Sequence, residues 1–423
     1  MKIIRNILVL STIFALLFTF ACAKKEDLAA VEKEEPAPQE LTPKELLGKR
    51  LFFDATLSSP EGQSCATCHG PTVGWSGPDS DINSTTVVYP GAFEPRFGNT
   101  KPPTAAYAGD SPPLHIDEEG TFEGGMFWNG RAAGWELGDT IAEQAMGPFL
   151  NPLEMNMPDK KSVILKLQEA DYAGLFREVW GPDSLDAEND IDGTYERIAR
   201  SIAAFERSFE VNKFSSKFDD FWRKTQELGL DVTTIDEANM DQFKGLGLDD
   251  NEVHGLMLFN TTGLCAECHV LTSEDGKTPP LFTDFTYDNL GVPRNPDNPF
   301  YIQDKEFNPD GKDWVDKGLG GFLEGTEKYA QYAKDNYGKQ KVPTLRNVDL
   351  RPNEELVKAY MHNGFFKTLK EVVNFYNTRD DEDSGWPPPE ISENVNVDEM
   401  GMLGLTDEEE DLIVLFMKTL SDR

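Results

Sequence analysis

The chain has 423 residues, 27% of them charged, and a formal net charge of −35 at pH 7, with acidic residues spread along its length. That balance excludes a nucleic-acid binder, which needs a basic footprint; it leaves a plainly solvated surface or one that steers a positively charged protein partner. The length is enough for two domains with real cores.

Taken in chain order, the first segment reads as a leader. Lys2 and Arg5 precede an apolar run, Ile7 to Ala21, that is too short to span a membrane comfortably. Cys22 follows Thr19-Phe20-Ala21, a small-residue approach resembling a bacterial lipoprotein processing site, although Leu is usual where Thr19 stands. The expectation is a signal peptide over 1–21 and a lipid anchor at Cys22, with ordinary cleavage near Ala21 or Ala23 as the alternative. Either route predicts export, to a bacterial periplasm, with residues 22–41 as a disordered tether.

Thr42-Pro43-Lys44-Glu45 is a capping box with Pro at the first helical position, and it predicts a helix. Apolar residues at helical spacing predict another over Thr194 to Phe214. Residues 223–242 lose that periodicity, which sets domains of 42–228 and 229–423. Thr368 and Glu371 form a capping box that starts a helix at Leu369, with Leu369, Val372, Val373 and Tyr376 on one face. Residues 377–400, with Trp386 and three prolines, read as a loop insertion. Thr406 and Glu409 cap a last amphipathic helix running to Leu420. No long alternating stretch supports a large sheet, so the fold class is mainly α.

Two motifs carry the chemistry: Cys65-Ala66-Thr67-Cys68-His69 and Cys265-Ala266-Glu267-Cys268-His269. Cys-x-x-Cys-His is the pattern of covalent c-type haem attachment. Two thiols add across the haem vinyl groups, and the adjacent His ligates the iron. A thioredoxin-like pair gives no reason for the His twice, and no further Cys remains to complete a tetrahedral zinc site. The motifs belong to an internal repeat. LLGKRLFF precedes the first and HGLMLFN the second; KPPTAAY (101–107) answers KVPTLRNV (341–348); Phe127-Trp128-Asn129-Gly130 answers Met361-His362-Asn363-Gly364. The expected architecture is two tandem cytochrome c-like haem domains related by duplication.

The stretches FWNGRA and EQAMGPFLNPLEM (127–155), the paired haem motifs, and KVPTLRNV with YMHNGFFKTLKEVVNFYN (341–377) resemble the bacterial diheme cytochrome c peroxidases, and more closely their MauG-like branch. The resemblance covers roughly residues 42–422. It implies peroxide chemistry at the first haem and electron transfer at the second. Many relatives block the first iron with a distal His soon after the first motif. Here none occurs between His69 and His115, and His115 lies in an insertion-like loop where a surface role is the simpler reading. The first iron, ligated by His69, is therefore expected to be open. The resemblance places Gln144, Pro148 and Glu154 over it. Glu154 would carry a proton between the two peroxide oxygens, and Gln144 would hydrogen-bond the peroxide. Above the second iron, opposite His269, the peroxidase relatives usually place Met, and the MauG-like branch Tyr, fourteen positions after the His of an HDG-type motif. Counted from His362, that residue is Tyr376. A Tyr ligand stabilises oxidised iron more than Met does; Met361, Met400, Met402 and Met417 are the alternatives. Trp128 corresponds to a Trp between the haems. Asn99 corresponds to a calcium contact, although the matching loop ELVKAYMHNG departs from the family pattern.

The expectation is an exported diheme peroxidase that reduces H2O2 at the N-terminal haem, with electrons from a small cytochrome or copper protein relayed through the C-terminal haem. One alternative is MauG-like oxidation of residues on a partner protein by peroxide. Another, a non-enzymatic diheme electron carrier, sits badly with Gln144, Glu154 and the missing blocking His.

Overall fold

Capping sets where the helices begin. The computed structural model describes residues 39–273 and 275–423; the expected leader, the Cys22 anchor and the tether up to residue 38 lie outside them. Thr42 Oγ1 accepts the Glu45 N–H at 3.3 Å and Glu45 returns the bond to the Thr42 N–H at 2.7 Å, opening the helix Pro43–Phe52. The same reciprocal bonds at Thr368/Glu371 and Thr406/Glu409 open Leu369–Thr378 and Asp407–Lys418. Leu41 already belongs with the folded body and packs on its core, so the tether is shorter than expected by that residue.

Two expected boundaries move. The helix anticipated over 194–214 is Ile191–Glu206. Beyond it the chain finds tertiary partners instead of helical ones. Asn212 Oδ1 takes the Tyr107 N–H at 2.5 Å, and the Tyr107 hydroxyl takes the Phe214 N–H at 2.9 Å. Helical structure also runs further than the loss of periodicity at 223 suggested. The helix Lys217–Leu228, capped by Ser216 and Asp219, ends at Gly229 with φ 69°. The helix Leu369–Thr378 takes the first two residues of the insertion expected over 377–400, and residues 379–406 hold no helix or strand. The described strands are two antiparallel pairs of two residues each, His115–Ile116 with Phe122–Glu123 and Tyr287–Asp288 with Gln340–Lys341, so the described fold is mainly helical.

Two large apolar cores form. One gathers Leu51, Phe52, Phe149, Phe176 and Phe205; the other gathers Phe218, Phe259, Phe282, Phe375 and Phe416. In each, the helix that precedes a haem motif crosses a later helix at a glycine. A Cβ on Gly48 would lie 1.9 Å from the Ser201 carbonyl oxygen, and one on Gly255 would lie 2.0 Å from that of Leu412. Phe205 and Phe416 flank these crossings in the same way, each 2.9 Å from the added carbon.

Polar bonds clamp the two cores together. Arg346 and Asp219 pair at 2.9 Å with both side chains fully buried, and the guanidinium stacks over Tyr107 and Phe214. Tyr107 donates to Asp422 at 2.6 Å. The buried Lys358 ammonium donates to the carbonyls of Val73, Asn347 and Leu350 at 3.0–3.2 Å. These bonds hold the loop after the first haem motif against the segment that follows KVPT.

Candidate active site

Both Cys-x-x-Cys-His segments adopt one tight turn. In each the His N–H donates back to the first Cys carbonyl at 2.9 Å. His69 Nδ1 meets the Trp75 carbonyl at 3.3 Å, and His269 Nδ1 meets that of Phe282 at 2.9 Å. A donating Nδ1 leaves the Nε2 lone pair free for a metal. Burial pushes both imidazoles down to about 4, so they stay neutral and ligand-ready at neutral pH. The same kind of backbone contact recurs at Pro103 for His69 and at Pro343 for His269. Among the described residues all four sulfurs are free of disulfides.

The second motif opens on a cavity of about 1530 Å³, mouth included. Cys265, Cys268, His269, Leu290, Val292 and Leu345 line it, and so do Lys101, Lys341 and Lys358. Burial lowers these three ammonium groups to about 8, 7 and 7, and none has a carboxylate ion-pair partner among the described residues. Two thiols, a neutral His, apolar walls and unpaired cations suit haem c, an apolar macrocycle with two carboxylates.

Tyr376 faces this cavity from the helix Leu369–Thr378, together with Leu369 and Val372. Val373, expected on the same face, packs into the core instead. Burial holds the Tyr376 hydroxyl well above its ordinary range, so the phenolate would need a cation beside it. Met361, Met400 and Met417 also line the cavity; Met402 is 72% exposed and is no candidate.

Gln144 and Pro148 lie one turn apart on the helix Thr140–Leu150 and so share a face. The chain then turns sharply, with Asn151 Oδ1 accepting the Leu153 N–H at 2.9 Å and the Asn151 carbonyl taking the Glu154 N–H at 3.0 Å. This turn presents the half-buried Glu154, whose side chain accepts one bond, from Asn151 Nδ2 at 3.0 Å. Burial raises the Glu154 carboxyl, against the opposing charge of Arg131. The Glu154 carbonyl accepts the Ala92 N–H at 2.7 Å, and two residues back the Pro90 carbonyl accepts Gln63 Nε2, which lies 3.9 Å from Cys68 Sγ, so the turn sits near the first attachment site. His115 stands on the short hairpin, half-exposed, with Nδ1 on its neighbour Pro113's carbonyl.

Trp128, 8% exposed, lines the second cavity and ties the halves together. Its Nε1–H donates to the Lys101 carbonyl at 2.8 Å, and its own carbonyl accepts the Lys341 N–H at 2.8 Å. Asn99 lies nearby in sequence, its carbonyl accepting Asn298 Nδ2 at 2.9 Å. Sequence reasoning passed over Arg131, although it lies inside the quoted FWNGRA. It also passed over the cavity lysines: Lys101 and Lys341 open KPPT and KVPT, where a basic residue before a buried turn was the available signal. Glu390, from the 377–400 insertion, also lines the cavity, and no local pattern marked it.

Residues 42–227 match the family model of di-haem cytochrome c peroxidase. The chain is 32% identical over 404 residues to the methylamine utilization protein MauG of Paracoccus denitrificans (strain Pd 1222), covering 93% of this chain and 91% of that protein. It is 28% identical over 382 residues to the cytochrome-c peroxidase IdrP2 of Pseudomonas sp. (strain SCT), covering 89% and 80%. Among solved structures it is similar to the diheme peroxidase BthA from Burkholderia thailandensis E264, with a TM-score of 0.72 at 27% identity over 90% of this chain and 87% of that one.

Proposed function

The chain belongs to the di-haem cytochrome c peroxidase family, and from that premise we propose an exported enzyme that reduces H2O2 beside His69 with electrons relayed from the His269 side. As a member it is a peroxidase-type oxidoreductase of a family that carries two c-type haems. When bound, those haems supply the redox chemistry with peroxide; the chain supplies position and protons. Gln144 orients peroxide through its side-chain amide. Glu154 takes a proton from the inner peroxide oxygen and returns it to the outer one, so that two electrons and two protons convert H2O2 to two waters. Trp128 spans the gap between the two sites. Tyr376 would help hold the second haem by ligating its iron, and Asn99 would contact a calcium ion.

The observation that carries this reading is Glu154, a partly desolvated carboxylate beside the first attachment motif with a single amide partner and no ion pair among the described residues. The test is spectroscopic and kinetic. Mass should show two covalent haems, electron paramagnetic resonance of the oxidised protein one high-spin and one low-spin signal, and a reduced small cytochrome or copper protein should be consumed with peroxide. Two low-spin signals that persist on partial reduction would remove the open first site and the reading with it.

A second reading, peroxide-driven oxidation of residues on a partner protein, is favoured by Tyr376 standing in the cavity at the position where a Met ligand would suit ordinary turnover. The proposal further takes 42–228 and 229–423 as products of one duplicated haem unit. The paired glycine crossings and the paired Pro103 and Pro343 contacts support it. Export to the periplasm with a lipid anchor at Cys22 completes it.

A further inference from the structure

The 377–400 insertion reaches into the second cavity. The Glu390 N–H donates to the Val292 carbonyl at 3.1 Å, and Asn289 Nδ2 holds the carbonyls of Ile391 and Glu393 at 3.0 and 2.7 Å. Anchored there, the loop turns the Glu390 side chain inward, where it is 5% exposed. One carboxylate oxygen lies 4.0 Å from His362 Nε2, and the other has no hydrogen-bond partner among the described residues. The His362 ring stands edge-on to Trp128 at 6.4 Å, and its carbonyl accepts the Lys101 N–H at 2.8 Å. Glu390, His362 and Trp128 all line the cavity that holds Cys265, Cys268 and His269.

An electron held in such a space adds a charge that low dielectric makes costly to leave unbalanced. Trp128 cannot balance it, because its Nε1–H faces an amide carbonyl, which is a poor base. We propose that Glu390 is a proton site that takes up one proton when an electron is held on the second-haem side and releases it when that electron leaves through Trp128. The electron comes from the protein donor and the proton from water; both end in the two waters made from peroxide. The groups facing Glu390 are Asp316, Arg294, Asn363, Tyr301 and His362. Burial first, and then the Asp316 charge, push Glu390 up to about 7 against the opposing effects of the Asp316 backbone N–H, Arg294 and Asn363. An added electron raises it further. Between the oxidised-state and reduced-state values, reduction takes up a proton, so the potential falls as pH rises.

The inference rests on the proposed electron relay through the second site, and potentiometry separates the two. In the intact diheme protein, the second haem's potential should drop by about 59 mV per pH unit in a window that begins near the oxidised-state value, a tenfold shift in the one-electron equilibrium constant per unit. Glu390→Gln should flatten that slope and Glu390→Asp should keep it. In reduced-minus-oxidised infrared spectra, the wild-type protein should gain a protonated-carboxyl band that Glu390→Gln lacks. A flat wild-type slope, an unchanged slope in Glu390→Gln, or no carboxyl band in the wild type would each overturn the proton site; the wild-type measurements decide even if the variant folds poorly. A protein that shows the slope and band yet consumes no peroxide would refute the proposed function and leave the proton site standing.

Discussion

Glu143 lies in the first turn of the helix Thr140–Leu150 and Glu154 just beyond its end, and they meet different surroundings. Glu143 accepts the N–H groups of Gly134, Glu136 and Leu137 at 2.6–2.8 Å, so its lone pairs are occupied in fixing the loop that follows Trp128. Glu154 accepts one amide and is left with capacity to move a proton. Glu154→Gln keeps the shape and removes the base. The reaction with peroxide should slow by roughly 10²-fold, with the resting haem spectra unchanged, as stopped-flow would show. Because burial raises this carboxyl, the wild-type rate should climb with pH through a value above the ordinary carboxylate range, and the variant should lose that limb. Tyr376 makes a separate claim. Tyr376→Met should raise the second haem's potential while leaving both attachments intact. If Tyr376 is the ligand, the fully oxidised wild type should also react with peroxide without prior reduction; a wild type that reacts only after one-electron reduction would sink this assignment.

At the scale of elements, each haem motif is positioned by the helix before it, and each of those helices sits unusually close to its partner. No side chain fits at Gly48 against Ser201 or at Gly255 against Leu412, since the obstacle is backbone oxygen and not a movable side-chain tip. Gly48→Ala and Gly255→Ala should each force the pair apart and cost about 1–3 kcal/mol, read by denaturant unfolding of the haem-loaded protein. Equal stability of variant and wild type would mean that the helices part freely. The glycines were visible in LLGKRLFF and HGLMLFN, but the contact that demands them comes from helices more than 140 residues away.

The whole molecule carries its charge outward while burying cations inside. Net charge is −35, yet Lys101, Lys341, Lys358 and Arg346 line or flank the cavity between the halves. A negative exterior attracts a basic donor protein and is screened by salt. The rate of reduction by a basic cytochrome should therefore fall steeply as ionic strength rises, whereas the rate with a small neutral dye should stay level. A salt-independent rate with the basic donor would leave the charge as surface solvation only.

Local signals determined much of this protein. Motif spacing marks both haem sites because covalent attachment needs its ligands within five consecutive residues. The helix starts at Thr42, Thr368 and Thr406 were legible because a capping box closes within four. The helix face that brings Tyr376 to the cavity was legible for the same reason, being set by a period inside one helix. Tertiary structure decided what depends on distant partners. Asn212 and Tyr107 end the helix at Glu206, the Asn289 amide folds the proline-rich insertion inward, and burial without a carboxylate partner lowers the cavity lysines. Desolvation and hydrogen bonding depend on which segments meet, so the placement of Glu390 against His362, and the protonation it permits, were settled only when 289–293 and 360–363 came together around it.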